Sequence, residues 1–202
     1  MHIDTRAQRR RGLILVVATL TLSLLVVAGV IVERSARTPL VQVGQVAPGF
    51  SLPSTNGGIQ SLAAARGRPL ILAFVPSVQC DFCRAQLRAL QAALPDLHTY
   101  GAAVFAVSAD TPAVQRAAAA ELDLAYPLLS EGPTVNQHPV GSAYGVYHLR
   151  QRHPGPVDAN AIVVIDANGI VRAVRVRPGQ QMSAANVLDI VDEAIGSEGG
   201  AK

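Results

Sequence analysis

Tryptophan is absent from the 202-residue chain, and aromatic residues make up only 4% of it. That removes the flat platforms on which unpaired bases stack. Charge is scarce as well, at 15% of residues, and the formal net charge of +3 is concentrated at one end. Residues 1–37 hold six arginines against Asp4 and Glu33, leaving eleven basic and twelve acidic residues for 38–202. A nearly neutral main body carries no basic footprint, so no nucleic-acid partner is expected. Cysteine is limited to Cys80 and Cys83, which excludes a disulfide framework and a site of four thiolates. His98, His138, His148 and His153 are scattered and read as solvated or capping side chains, so no metal site is expected. There is no internal repeat and no long low-complexity tract, and the length suits one domain with an appendage.

Hydrophobic residues, in contrast, reach 50% and the mean hydropathy is +0.30, both raised by one segment. GLILVVATLTLSLLVVAGVIV, residues 12–32, has no charged residue. At about 1.5 Å per residue its length matches a hydrocarbon core of roughly 30 Å. Arg6, Arg9, Arg10 and Arg11 precede it, so the positive-inside bias places the N-terminus in the cytoplasm and the remainder across the membrane. A cleavable signal would have an apolar region of about 7–15 residues and a small-x-small site, neither of which is clear here. The expected organisation is a basic cytoplasmic start (1–11), a transmembrane signal anchor in contact with lipid (12–32), a linker (33–41), one domain (42–196) and a flexible tail (197–202). The chain is thus expected to be a single-pass membrane protein of a bacterial cell envelope, with its domain outside the cytoplasm.

Within the domain, LILAFV at 70–75 is a short continuous apolar run, suited to a parallel strand buried on both faces. After Cys80 the apolar residues Phe82, Leu87, Leu90 and Leu94 fall mostly at helical spacing, with Pro95 near the helix end. AAVFAVSAD reads as a second buried strand, and Thr111-Pro112 as a helix cap followed by proline at the first helical position, the helix reaching about Leu122. Leu128-Leu129 is a short strand; AIVVID and IVRAVRV flank Ala167-Asn168-Gly169 as an antiparallel hairpin; Ser183 to Ile195 is an amphipathic helix. Strands alternating with helices before a hairpin and a helix predict an α/β fold of thioredoxin type, a mixed central sheet flanked by helices.

Both cysteines lie in Cys80-Asp81-Phe82-Cys83, at the expected junction of strand and helix. Residues i and i+3 share a helix face, so their sulfurs can be bridged without large backbone motion. In the first turn, free N–H groups and the positive end of the dipole favour thiolate, the nucleophilic form. Arg84 adds positive charge one turn after Cys80, while Asp81 opposes it. A purely structural bridge is the weaker reading, since closing so short a loop contributes roughly 2 kcal/mol against about 4.7 for a loop of 100 residues. A zinc pair would need further ligands that the sequence does not group.

GQVAPGFSL, GRPLILAFVPSVQCDFCRAQL, AYGVY and AIVVIDANGIVRAV together resemble the redoxin branch of the thioredoxin superfamily, the alkyl hydroperoxide reductase and thiol-specific antioxidant (peroxiredoxin-like) proteins. The resemblance spans most of 42–176. Those proteins carry P-x-x-x-T-x-x-C; here Pro76 leads to Cys80 at the threonine place and Cys83 at the cysteine place. It implies a peroxidatic role for Cys83, whereas a thioredoxin-like reading makes Cys80 the attacking sulfur and Cys83 the resolving one. Cys80 replaces the hydroxyl that would orient peroxide, and Asn160 falls where the resemblance expects an arginine. These departures favour a membrane-tethered thiol-disulfide oxidoreductase acting on protein disulfides, with a peroxide-reducing thiol peroxidase centred on Cys83 as the alternative. Either would draw electrons from an extracytoplasmic thiol reductant and use no organic cofactor. A copper carrier and an inactive scaffold are the remaining readings.

Overall fold

The computed structural model describes residues 19, 21–23, 40–132, 139–146, 159–178 and 180–196. The chain divides into two compact units, Met1–Thr38 and Pro39–Lys202. Of the first, only Thr19 and the stretch 21–23 are described, as helix, so the expected anchor lies almost wholly outside the described residues. Among the described residues no helix is long and apolar enough to cross a membrane. The expected tail at 197–202 and the histidines His138, His148 and His153 also lie outside them.

In the second unit, the strands are β1 (Ser51–Pro53), β2 (Ile59–Ser61), β3 (Leu70–Phe74), β4 (Ala103–Ser108), β5 (Leu128–Ser130), β6 (Ala159–Ile165) and β7 (Val171–Pro178). The helices are α1 (Leu62–Ala65), α2 (Asp81–Thr99), α3 (Pro112–Glu121), α4 (Pro139–Ala143) and α5 (Ala184–Ile195). Five strands form one sheet in the order β5-β4-β3-β6-β7, while β1 and β2 make a separate antiparallel pair. Strand β3 runs parallel to β4 and antiparallel to β6, with Leu72 opposite Phe105 on one side and Val163 on the other.

The continuous apolar run of β3 follows from its central position. Ile71 and Ala73 face a core closed by Leu87, Leu90 and Leu97 of α2 and by Val187 and Val191 of α5. Leu70, Leu72 and Phe74 face the opposite core, closed by Phe50, Leu62 and Tyr144. Both faces are covered, so no residue of this strand is free to be polar. The Tyr144 hydroxyl donates to the Pro48 carbonyl at 2.9 Å, and its ring lies 5.3 Å from that of Phe74.

The helix boundaries follow their caps. Thr111 Oγ1 accepts from Val114 N at the head of α3, with Pro112 in the first turn, and Ser183 and Asn186 form a reciprocal capping box on α5. Pro95 sits inside α2, which continues to Thr99, a turn further than its sequence suggests. The proline removes one backbone bond, but Leu94 and Leu97 on either side remain buried in the core and carry the helix across it. The β6–β7 turn is fixed by Asp166, whose Oδ1 accepts from Asn168 N and Ile170 N, both at 2.9 Å, and whose Oδ2 pairs with Arg172 at 2.8 Å. Gly169 supplies the positive φ of +82° that this tight return requires.

Candidate active site

Parallel β3 and β4 end side by side, and the chain beyond each carboxyl end builds the site, the usual position for function in such sheets. From β3 the backbone is held once more, by Val75 N to the Val107 carbonyl at 3.0 Å, and then turns through buried Pro76, Ser77 and buried Val78 to Cys80. Cys80 is the N-cap of α2: its φ and ψ are −86° and 142°, and its sulfur accepts from Cys83 N at 3.2 Å. A sulfur thus occupies the place where a hydroxyl or carboxylate usually caps a helix.

Cys80 and Cys83 are joined as a disulfide, with their Cα atoms 5.2 Å apart. Their environments differ. Cys83 is fully buried in the core with Leu87 and Leu90, whereas Cys80 is half-buried at the core edge. The accessible sulfur is therefore the N-terminal one, and the sulfur at the helix N-terminus is also the one that receives an N–H.

Arg84 does not turn toward the sulfurs. Its guanidinium pairs with Glu121 at the end of α3, so the side chain placed by sequence beside Cys80 is held by a neighbouring helix instead. Asp81 is exposed in the first turn. Asn160 does reach the site from β6: fully buried, it donates through Nδ2 to the Phe82 carbonyl at 3.5 Å and to the Gln180 carbonyl at 3.0 Å. Gln86, also fully buried, accepts from Met182 N at 2.6 Å. Asn160 Oδ1 and Gln86 Nε2 find no partner among the described residues. Pro76, Cys80, Cys83 and Asn160 thus converge on the first turn of α2, and Arg84 starts there but points elsewhere.

Sequence reasoning missed the carboxylate behind the loop. Asp110, two residues past β4, accepts from Ser77 Oγ at 2.9 Å and from Val78 N at 2.7 Å. Ser108 Oγ donates to the same carboxylate at 2.8 Å and itself accepts from buried Gln115 Nε2 at 2.8 Å. Ser130 at the end of β5 donates to the Asp110 carbonyl at 2.7 Å. The available signal was an acidic residue closing the expected strand AAVFAVSAD, just before Thr111-Pro112, a pattern that reads equally well as an approach to a helix cap. Beyond it, Glu131 accepts from Val140 N and Gly141 N; burial pushes its carboxyl up despite those two donors. The cavity of about 320 Å³ beside Arg68, His98 and Tyr126 lies at the opposite end of the sheet and does not belong to this site.

A family model described as the AhpC/TSA family matches residues 43–174. The chain is 33% identical over 136 residues to "Thiol peroxidase" of Streptococcus parasanguinis, covering 66% of this chain and 77% of that protein. It is 32% identical over 137 residues to "Peroxiredoxin Q, chloroplastic" of Arabidopsis thaliana, covering 66% of this chain and 59% of that one. Among solved structures, that of Peroxidoxin BcpB from Mycobacterium tuberculosis matches with a TM-score of 0.65 at 21% identity, over 77% of this chain and 97% of that chain. The shared architecture is the thioredoxin-like fold. The names of the sequence relatives lie nearer to peroxide reduction than to the exchange of protein disulfides.

Proposed function

This chain belongs to the AhpC/TSA family and is an oxidoreductase, and from that premise we propose that it is a thiol-dependent peroxidase whose two working sulfurs lie within one helical turn. The observation that carries the reading is the register of Cys83. It stands seven residues after Pro76, buried one turn inside α2, with the only other cysteine already bonded to it.

In the reduced protein, the Cys83 thiolate attacks the terminal oxygen of a peroxide, ROOH. The O–O bond breaks, ROH leaves after taking a proton, and Cys83 becomes a sulfenic acid. The Cys80 thiol then attacks the Cys83 sulfur, forming the Cys80–Cys83 bond and releasing water. The two sulfurs lie three residues apart in the first turn of one helix, within bridging distance without large backbone motion. A thiol reductant closes the cycle at the accessible sulfur: its thiolate bonds to Cys80, Cys83 leaves as thiolate, and a second reductant thiol frees Cys80. Two electrons enter and one peroxide is reduced per turn.

Asn160 takes the place of the expected arginine as a neutral group held against the Phe82 carbonyl, and no hydroxyl stands at position 80. Both changes leave fewer donors for peroxide and support a second reading, exchange with protein disulfides through Cys80. Its own support is the exposure of Cys80 over Cys83. Rapid mixing of reduced protein with peroxide separates them. Peroxidase chemistry gives one disulfide per peroxide at a rate that rises with peroxide and far exceeds that of free cysteine. A rate comparable with free cysteine, together with a substrate protein trapped on Cys80 when Cys83→Ser is made, supports disulfide exchange instead.

The tethered, extracytoplasmic location is part of the same proposal, supported by the uncharged run 12–32 and the arginines before it. It makes the electron donor an extracytoplasmic thiol, and the domain from 42 to 196 the part that works there. Protease added to intact cells or spheroplasts should cut the domain and spare the N-terminus; full protection of the domain opposes this placement.

A further inference from the structure

We propose that Asp110 is a positioning residue that sets the equilibrium between the dithiol and disulfide forms of Cys80 and Cys83. The inference concerns that equilibrium alone and holds for a peroxide or a disulfide oxidant, so its failure would leave the proposed function standing.

The segment joining β3 to α2 determines where Cys80 sits. From Pro76 to Gln79 it makes no strand or helix bonds, and its fixed points come from elsewhere. Asp110 supplies two of them, the Ser77 hydroxyl on one oxygen and Val78 N on the other. Ser77 Oγ in turn accepts from Gln79 N at 3.1 Å, so the clamp extends to the residue before Cys80. Asp110 is itself held from three sides: Ser108 Oγ on the carboxylate, Ser130 Oγ on its carbonyl, and Gln115 on Ser108. These contacts come from the ends of β4 and β5 and from α3, and none of them is made by a residue of α2.

Cys83, by contrast, is fixed by the core. Closing the disulfide brings a sulfur on the clamped loop to a sulfur on the buried helix, and its free energy includes the entropy of confining the loop. A loop already confined in the dithiol form loses less on closure, which raises the effective concentration of one thiol at the other. Hydrogen bonds to a charged acceptor are the stronger kind, so the clamp is not easily exchanged for water. Asparagine in this place keeps one acceptor oxygen for Val78 N and turns its NH₂ group toward Ser77 Oγ, which then accepts, so both bonds lose the charged acceptor that strengthens them.

The test is the equilibrium of the full chain with reduced and oxidised glutathione. Glutathione disulfide gains two electrons and becomes two thiols, while the protein dithiol loses two electrons and two protons and becomes the disulfide. For Asp110→Asn the equilibrium constant for disulfide formation is expected to fall about tenfold, or about 30 mV for this two-electron couple. Ser77→Ala, which removes one bond and leaves Val78 N in place, should lower it about threefold, the worth of a modest hydrogen bond. Asp166→Asn, in the β6–β7 turn, destabilises the fold without touching the loop and should change it by less than about twofold. The proposal is overturned if Asp110→Asn stays within about twofold of the parent, or if Asp166→Asn shifts the constant as much as it does. Should Asp110→Asn fail to fold, Ser77→Ala decides, and an unchanged constant there overturns it.

Discussion

The two cysteines are chemically alike and differently placed: in the proposed division of labour the register from Pro76 gives attack on peroxide to Cys83, and placement gives the reductant its entry at Cys80. Cys83 is enclosed by the core, and Cys80, half-buried at its edge, caps the helix with its sulfur. Replacing Cys83 by serine should abolish peroxide reduction. Replacing Cys80 by serine puts a hydroxyl where the resemblance expects threonine; one round of oxidation should persist, but turnover with a dithiol reductant should drop by about 10²-fold or more, because an intramolecular step becomes bimolecular, measured by peroxide consumption under steady state. Arg84 gives a contrasting case at the same scale. Glu121, its partner, is largely exposed, so Glu121→Gln should cost no more than about 1 kcal/mol in chemical denaturation. The choice of Glu121 over the sulfurs was not legible in the sequence, because the partners lie 37 residues apart and meet only through the packing of α2 against α3.

Strands and helices were more legible than their contacts. LILAFV announced a strand buried on both faces, and Thr111-Pro112 and Ser183 announced helix starts, because each signal is local: hydrophobic period, cap, fixed φ. The clamp of Asp110 on Ser77 and Val78 and the bond of Gln86 to Met182 span 33, 32 and 96 residues, and no local pattern encodes them. The β6–β7 turn is the element whose stability should depend most clearly on pH. Burial alone would raise the Asp166 carboxyl, but the Ile170 N–H, the Arg172 guanidinium and the Asn168 N–H outweigh it and hold the group below its usual range. Its contribution is therefore present above the unfolded carboxylate value near 3.9 and is lost as pH falls through the lower folded value. Asp166→Asn should cost about 2 kcal/mol at neutral pH, and the acid limb of the stability profile, followed by denaturant melts between about pH 2 and 6, should flatten.

At the scale of the whole molecule, the redox unit from Pro39 onward is compact and has its own two-sided core. A chain starting at residue 39 should fold with the thermal midpoint and glutathione equilibrium of the full protein, while the full chain should enter the membrane fraction; calorimetry and fractionation check each. Loss of folding on removing 1–38 would show that the unit depends on what precedes it. The fold family was legible because its motifs are contiguous, but the unequal surroundings of the two cysteines are not written in CDFC. They come from a sheet whose carboxyl ends carry Cys80 on a clamped loop and bury Cys83 in a helix.

The most direct test of that division is to treat reduced Cys80→Ser protein with one equivalent of hydrogen peroxide and locate the oxygen by peptide mass spectrometry after trapping sulfenic acid with a dimedone-type reagent. Rapid, stoichiometric addition at Cys83 is expected. No adduct on Cys83, or one that forms no faster than on free cysteine, would contradict the assignment of Cys83 as the attacking sulfur.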